Sequence, residues 1–386
     1  CILVSQNFGA GDYDGMRKSI SHTFGLGFAL ALLITALAHL IAHPLLLFLN
    51  TPDDVIDGSL LYLRITFSGI IVIMAYNLFS SVLRALGDSK SPLYAMIIAA
   101  LLNTGLDILF VWGFHWGIAG AAIATVLSRY IETAIIVVYT HTRKEYFPFI
   151  HGAYRSLRVP SPLMSGILRR GTPLLVNEFL WSSGMAVLLP CYSVRGLDVV
   201  AACNIATTVS NLFKVVFLSM GNAVAIMVGQ ALGANDIERA KNCTWRLMTA
   251  AVGSNLFMSI LLILFAPSIP HIYNTEPHVR QIATQLLYVI AMMMPAYSFS
   301  HCCYFTLRSG GKTIITFLFD SVFTWCVNVP TAWLLVYRTG MGIVPLYFCV
   351  QALELIKVVI GFALVKKGVW IHNIVAPVAE KEAAEK

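Results

Sequence analysis

Ten apolar stretches, each long enough to cross a lipid bilayer, follow one another along this chain with only short polar breaks between them. A hydrocarbon core of about 30 Å takes roughly 20 helical residues. Residues 20–49, 57–83, 91–114, 117–141, 166–190, 199–229, 243–267, 280–307, 313–337 and 342–366 all reach that length. Inside lipid a backbone amide finds no water, so a spanning segment must be a helix or a strand of a closed barrel. These stretches are continuously apolar rather than alternating, which selects helices. The fold class is therefore an all-α polytopic membrane protein with about ten transmembrane helices in this chain. Composition agrees: 58% hydrophobic and 12% charged residues, with a mean hydropathy of +0.77, cannot cover a water-soluble surface. No connection is long enough for a folded soluble domain.

A net charge of +7 would be compatible with a nucleic-acid partner, but its distribution argues for membrane topology instead. Lys and Arg gather in alternate connections: Arg17 and Lys18, Arg84 and Lys90, the stretch 143–170, residues 239–246, Arg308 and Lys312, and 366–386. The intervening connections hold only Arg195, Arg280 and Arg338. The basic set marks the cytoplasmic side. It places the stretch 142–164 and the C-terminus inside the cell and the protein in the plasma (inner) membrane, in contact with lipid and with no nucleic acid. The 8 cysteines lie mostly within spans, with no CxxC spacing, and read as free thiols packed as small apolar groups.

The chain repeats itself. Residues 4–12 read VSQNFGAGD and residues 228–236 read VGQALGAND, an offset of 224 that also carries RALGDS at 84–89 onto RSGGKT at 308–313. Farther on the offset is 225, and Trp116-Gly117-Ile118 meets Met341-Gly342-Ile343. Two halves share one plan, related by an axis along the membrane normal because each half spans an even number of helices. In the second half two helices, 166–190 and 199–229, precede the repeated QALGAN segment. The plan therefore expects two helices, roughly 60 residues, ahead of Cys1, and a complete protein of two pseudo-symmetric six-helix bundles. The expected organisation is an N-lobe over 1–141, a cytoplasmic linker over 142–164, a C-lobe over 165–368 and a solvated, disordered tail over 369–386.

A charge at the bilayer centre costs about 2.5 to 3.5 kcal/mol on insertion scales, so each ionisable residue inside a span needs a partner or a task. Asn103 and Asp107 lie four apart on the third span and share a face. Thr125, nine residues into the next span, sits at a similar depth. Carboxylate, amide and hydroxyl oxygens at one depth suit a hard cation, and the carboxylate could equally carry a proton. Interhelical glue is the competing reading. Glu178, in LLVNEFL, sits near mid-membrane at a depth similar to Lys214 on the following helix, and either serves transport or forms a buried ion pair with Lys214. Arg129 with Glu132, and Glu354 with Lys357, are repeat-related pairs three apart that read as self-compensating on their own helices. Asp320 has no counterpart in the other half and faces either a cavity or a polar partner. His39 and His43 would be half a metal site, and no third ligand is evident; no metal is expected. Met293, Met294 and Pro295 interrupt the eighth span, and with Phe217, Met220, Met227 and Tyr297 either line a substrate cavity or pack.

At Gln6 to Asp12 (QNFGAGD), Arg84 to Pro92 (RALGDSKSP), Leu102 to Val111 (LNTGLDILFV), Gly117 to Thr125 (GIAGAAIAT) and Gln230 to Asp236 (QALGAND), the chain resembles the multidrug and toxic compound extrusion (MATE) family of secondary transporters. The resemblance runs in order along nearly the whole chain. It implies a V-shaped pair of six-helix bundles around a central cavity, alternating access, and export of cationic amphiphilic small molecules in exchange for H⁺ or Na⁺. It also implies an N-lobe cation site whose Asn, Asp and Thr match Asn103, Asp107 and Thr125, completed in the family by an Asp on a helix ahead of this chain; Asn77 would extend that network. Glu178 resembles the C-lobe acid of the family's sodium-coupled branch. That branch carries a second Asp on the helix matching 280–307, and none stands there.

The reading is of a non-enzyme: HExxH, GxSxG and P-loop signatures do not occur, and the intramembrane acids form no catalytic pair. A lipid-linked saccharide flippase of related architecture is the alternative, distinguished by a basic rather than acidic interior. No cofactor beyond the coupling ion is expected, and a monomer is expected.

Overall fold

The computed structural model of the protein describes residues 2–48, 51–143, 147 and 161–375. They divide into two compact units, Leu3–Met164 and Ser165–Lys386. Among the described residues nine helices are long and apolar enough to cross a membrane, and ten if one bent pair counts as a single span.

The first unit contains α1 (Ile2–Gly9), α2 (Tyr13–Phe48), α3 (Asp53–Ser68), α4 (Ile70–Ala85), α5 (Lys90–Asp107) and α6 (Gly117–Thr142). The second contains α7 (Ser161–Ser193), α8 (Leu197–Gly233), α9 (Ile237–Phe265), α10 (Pro277–Ser309), α11 (Thr313–Phe317), α12 (Val329–Arg338), α13 (Ile343–Ala352) and α14 (Glu354–Lys366).

The repeated motif is a helix-restart device. In the first unit Gly11 takes a left-handed conformation (φ 71°), and the Asp12 carboxylate accepts the Gly15 amide at 2.8 Å, capping α2. In the second unit Asn235 takes the same conformation (φ 57°) and Asp236 accepts the Arg239 amide at 2.9 Å, capping α9. Glycine and asparagine are the residues that enter this region at least cost, which explains the exchange of one for the other at position 224 of the offset.

Three expected spans differ in detail. The span over 57–83 is two helices, α3 and α4, meeting at Gly69 with a bend of 41°. The eighth span is not interrupted at Pro295: α10 runs unbroken from Pro277 to Ser309. A proline deprives the carbonyl four residues earlier of its donor, here that of Ala291. The Ser259 hydroxyl of α9 donates to that carbonyl at 2.6 Å, which replaces the lost bond. Met293 and Met294 are buried in packing. The ninth span is a composite: α11 passes into π-helical turns at Leu318–Val322 and Thr324–Asn328 and then into α12. Pro330 opposes the carbonyl of Cys326 in the same way, and the wider helical turn lies at that point.

The second unit is organised about α10, which packs on α8, α9, α13 and α14 and has 56% of its apolar window buried. The expected free tail over 369–386 does not begin at 369. Trp370 is 2% exposed, its indole N–H donates to the Val365 carbonyl at 3.1 Å, and the Asn373 amide donates to the Gly233 carbonyl at 3.3 Å. Apolar Trp370, Ile374 and Val375 find a groove against the ends of α8 and α10, so this segment packs; residues 376–386 lie outside the described ones. Of the expected linker 142–164, Phe147 is buried beside Tyr139, with ring centroids 5.8 Å apart.

Candidate ion and proton sites in the two units

In the first unit α5 packs along α6, and Asn103 and Asp107 on α5 and Thr125 on α6 are all half-buried. The Thr125 hydroxyl donates to the Ala121 carbonyl of its own helix at 3.0 Å. The Asn103 amide nitrogen and the Asp107 Oδ1 are buried without a hydrogen-bond partner. Asp107 is the last α-helical residue before a π-helical stretch, Ile108–Gly113. Wide turns of that kind recur where a helix presents a functional group. Asn77 stands apart from this group: it is exposed and its amide donates to the Ile73 carbonyl of its own helix at 2.9 Å.

In the second unit the expected pairing of Glu178 with Lys214 does not form. The Glu178 carboxylate lies 3.5 Å from the guanidinium of Arg308, in the last turn of α10, and its side chain is 60% exposed. The reason is reach: Arg308 lies over the rings of Tyr304 and Phe305, at 5.9 and 5.6 Å, and this stacking aims it across at α7. Among the described residues Lys214 has no ion-pair partner.

Beneath that exposed pair lies a denser cluster. Asn177, next to Glu178 and 1% exposed, donates to the Tyr304 hydroxyl at 3.2 Å and to Asp320 Oδ2 at 3.4 Å. Its own carbonyl oxygen and amide oxygen each accept the Ser321 hydroxyl at 2.7 Å. Asp320 Oδ1 is 3.2 Å from Lys357 Nζ, which is also 3.5 Å from Glu354. The ammonium further lies over the rings of Phe319 and Phe323, at 5.3 and 6.0 Å. Asp320 and Ser321 sit in the π-helical turn 318–322. The close approach of α14 to α10 rests on Gly361, one turn beyond Lys357, where a Cβ would stand 2.9 Å from Cys303.

Glu354 and Lys357 thus pair on their own helix, as do Arg129 and Glu132 at 2.7 Å in the first unit. The link from Lys357 to Asp320 was absent from that reading, and so was Asn177. Asn177 carried a signal, since NE at 177–178 is a polar pair inside an otherwise apolar run. Of the histidines at the far end of α2, His39 has a ring nitrogen 2.8 Å from the Thr35 carbonyl and meets the Phe67 ring of α3 edge-on, with centroids 6.1 Å apart.

The sequence profile of the MatE family matches residues 1–109 and 173–334. The chain is similar to the "Probable multidrug resistance protein YoeA" of Bacillus subtilis, 27% identical over 350 residues, covering 89% of this chain and 75% of that protein. It is similar to the "Probable multidrug resistance protein YpnP" of the same organism, at 28% over 347 residues, 88% and 77% of the two chains. Among solved structures it resembles one titled "Outward-facing conformation of a multidrug resistance MATE family transporter of the MOP superfamily", with a TM-score of 0.86, 20% identity, and coverage of 95% of this chain and 81% of that one. "Crystal structure of MATE in the bent conformation" gives a TM-score of 0.86 at 20% identity, covering 99% and 83%.

Proposed function

Because the chain belongs to the MatE family, we propose that it is a secondary active exporter that moves cationic, amphiphilic small molecules out of the cell by alternating access, driven by inward flow of H⁺ or Na⁺. It is a transporter and not an enzyme, and multidrug efflux is its activity. The relatives named as multidrug resistance proteins support that activity over lipid-linked saccharide flipping.

The observation that carries the coupling reading is the pair of unpartnered polar atoms on α5. A carboxylate oxygen and an amide nitrogen buried in an apolar helix contact without partners are expensive, and the carboxylate is relieved by taking up a cation or a proton. Asn103, Asp107 and Thr125 are the groups assigned to this task; Asn77, exposed on α4, belongs to it only if α4 turns. Glu178, loosely paired and accessible, is assigned the second cation-attracting position. The basic connections support a plasma-membrane protein with 142–164 and the C-terminus in the cytoplasm.

The test is efflux of a fluorescent cationic dye from cells, with H⁺ and Na⁺ gradients imposed separately, comparing wild type with Asp107→Asn and Glu178→Gln. Loss of efflux in Asp107→Asn alone, at normal expression, is the expected outcome and assigns coupling to the first unit. Normal efflux in both variants overturns the site assignment.

A further inference from the structure

Around Lys357 the interior of the second unit holds two carboxylates for one cation, and Lys214 of α8 forms an ion pair with neither among the described residues. Asp320 and Glu354 each lie within 3.5 Å of the single Lys357 ammonium, and Glu354 and Lys357 are 7% and 9% exposed. The other ion pair nearby, Glu178 with Arg308, is balanced within itself. The remaining groups facing the cluster are neutral or taken. From α10 come Tyr304, bonded to Asn177, and Tyr297, bonded to Gln351 of α13. Cys303 lies against Gly361, and His301 is packed among Phe217, Tyr304 and Phe305 with an unpartnered Nε2. The buried Ser300 hydroxyl faces Glu354.

We propose that Asp320, Glu354 and Lys357 form a proton-binding site in which the two carboxylates share one exchangeable proton beside the ammonium. Two carboxylates and one ammonium leave one surplus negative charge, and an uncompensated charge at membrane depth costs several kcal/mol. Uptake of one proton from water, as an O–H bond on either carboxyl, removes it. Lys357 holds the remaining carboxylate, and Asn177 and Ser300 supply hydrogen bonds that suit either state.

The repeat supplies an internal control. The first unit has Arg129 and Glu132 where the second has Glu354 and Lys357, one cation for one carboxylate. At the offset of 225 Asp320 corresponds to Ala95, fully buried. The duplicated architecture therefore stands without a second acid, and Asp320 is an addition to a pair already neutral. An acid added to a neutral buried pair adds no stability of its own; it adds a site that titrates.

This deepens the proposed ion coupling and rests on it for its use in transport, while the occupancy of the site is read without transport. Infrared difference spectra of the purified full chain in liposomes, stepped in pH, report a protonated carboxyl through its C=O stretch. Wild type is expected to show at neutral pH a band that Asp107→Asn leaves in place. Asp320→Asn, which leaves one carboxylate facing one ammonium, loses it, and so does Glu354→Gln. Lys357→Met, which leaves two carboxylates and no ammonium, raises it about twofold. A wild type without the band, or a band unchanged in both amide variants, overturns the proposal. Dye efflux separates the role from the site. If Asp320→Asn loses the band yet efflux still follows the pH gradient as in wild type, the site's part in coupling is overturned. If wild type fails to export the dye at all, the transport reading falls and the infrared result still decides the site.

Discussion

Asn177 joins three helices by its side chain alone, which makes Asn177→Leu the sharpest test of how the second unit is held together. The change keeps the branching and the number of heavy atoms and removes bonds to Tyr304 of α10, to Asp320 and to Ser321. Side-chain hydrogen bonds between membrane helices average about 0.6 kcal/mol each, so three are worth about 2 kcal/mol. The Ser321 hydroxyl keeps a partner in the Asn177 backbone carbonyl, whereas Asp320 Oδ2 and the Tyr304 hydroxyl each lose one. Leaving buried polar groups short adds about 1 to 2 kcal/mol. The expected loss is therefore about 3 to 4 kcal/mol, or roughly 6 to 16 °C in Tm for a unit of this size. Thermal unfolding of the detergent-purified protein measures it, with Ser321→Ala as a single-bond control costing about 0.6 kcal/mol. The double variant should lose less than the two singles together by about 0.5 kcal/mol or more, because both remove the same bond. An Asn177→Leu protein within about 0.5 kcal/mol of wild type, or strict additivity, refutes the three-way tie.

Other consequences are open to direct measurement. In Gly310→Ala the new Cβ would stand 1.8 Å from the Trp370 carbonyl oxygen, and since the obstacle is backbone the segment 368–375 must move off; hydrogen exchange at 370–375 should rise sharply, and unchanged protection would contradict the packing. Asp88, in the connection before α5, is pushed up by burial, but hydrogen bonds from the Ser91 amide, the Ser91 and Tyr139 hydroxyls and the Lys90 amide outweigh this and hold it below the ordinary carboxyl value. Its folded value being the lower one, its stabilisation is present above the unfolded value and lost as pH falls through the folded one, so Asp88→Asn should cost about 1 kcal/mol at neutral pH and flatten the acid side of a Tm-against-pH curve. Arg195 donates to the carbonyls of Val336 and Thr339 at 2.9 and 2.6 Å, closing the end of α12, and Arg195→Ala should cost about 1 to 2 kcal/mol in the same unfolding assay.

What the sequence disclosed and what it withheld divide along one physical line, the distance over which each feature is determined. The spans were legible because the bilayer imposes their length locally, and the repeated motif was legible as a repeat, while the turn and cap that Gly11-Asp12 and Asn235-Asp236 make emerged only in the structure. Within-helix pairs such as Arg129 with Glu132 follow from the helical period. Partners on other helices do not. Glu178 meets Arg308 at a separation of 130 residues, and Lys357 meets Asp320 only because a π-helical turn and a glycine at 361 let three helices close on one point. Pro295 shows the same limit from the other direction: the proline was visible, and the serine on α9 that replaces its lost hydrogen bond was not. The first-unit site is the intermediate case, since one helical face collects Asn103 and Asp107 while the side chains remain unpartnered. A transporter needs some polar groups inside lipid left without permanent partners, because a group fully satisfied by the fold cannot exchange an ion. Asp107, with Oδ1 buried and unpartnered, meets that criterion; Glu132 also keeps an unpartnered Oε1, but its other oxygen is held by Arg129 in a balanced pair, and the proposed Asp320–Glu354 site enters through the two carboxylates that share one ammonium rather than through a missing partner.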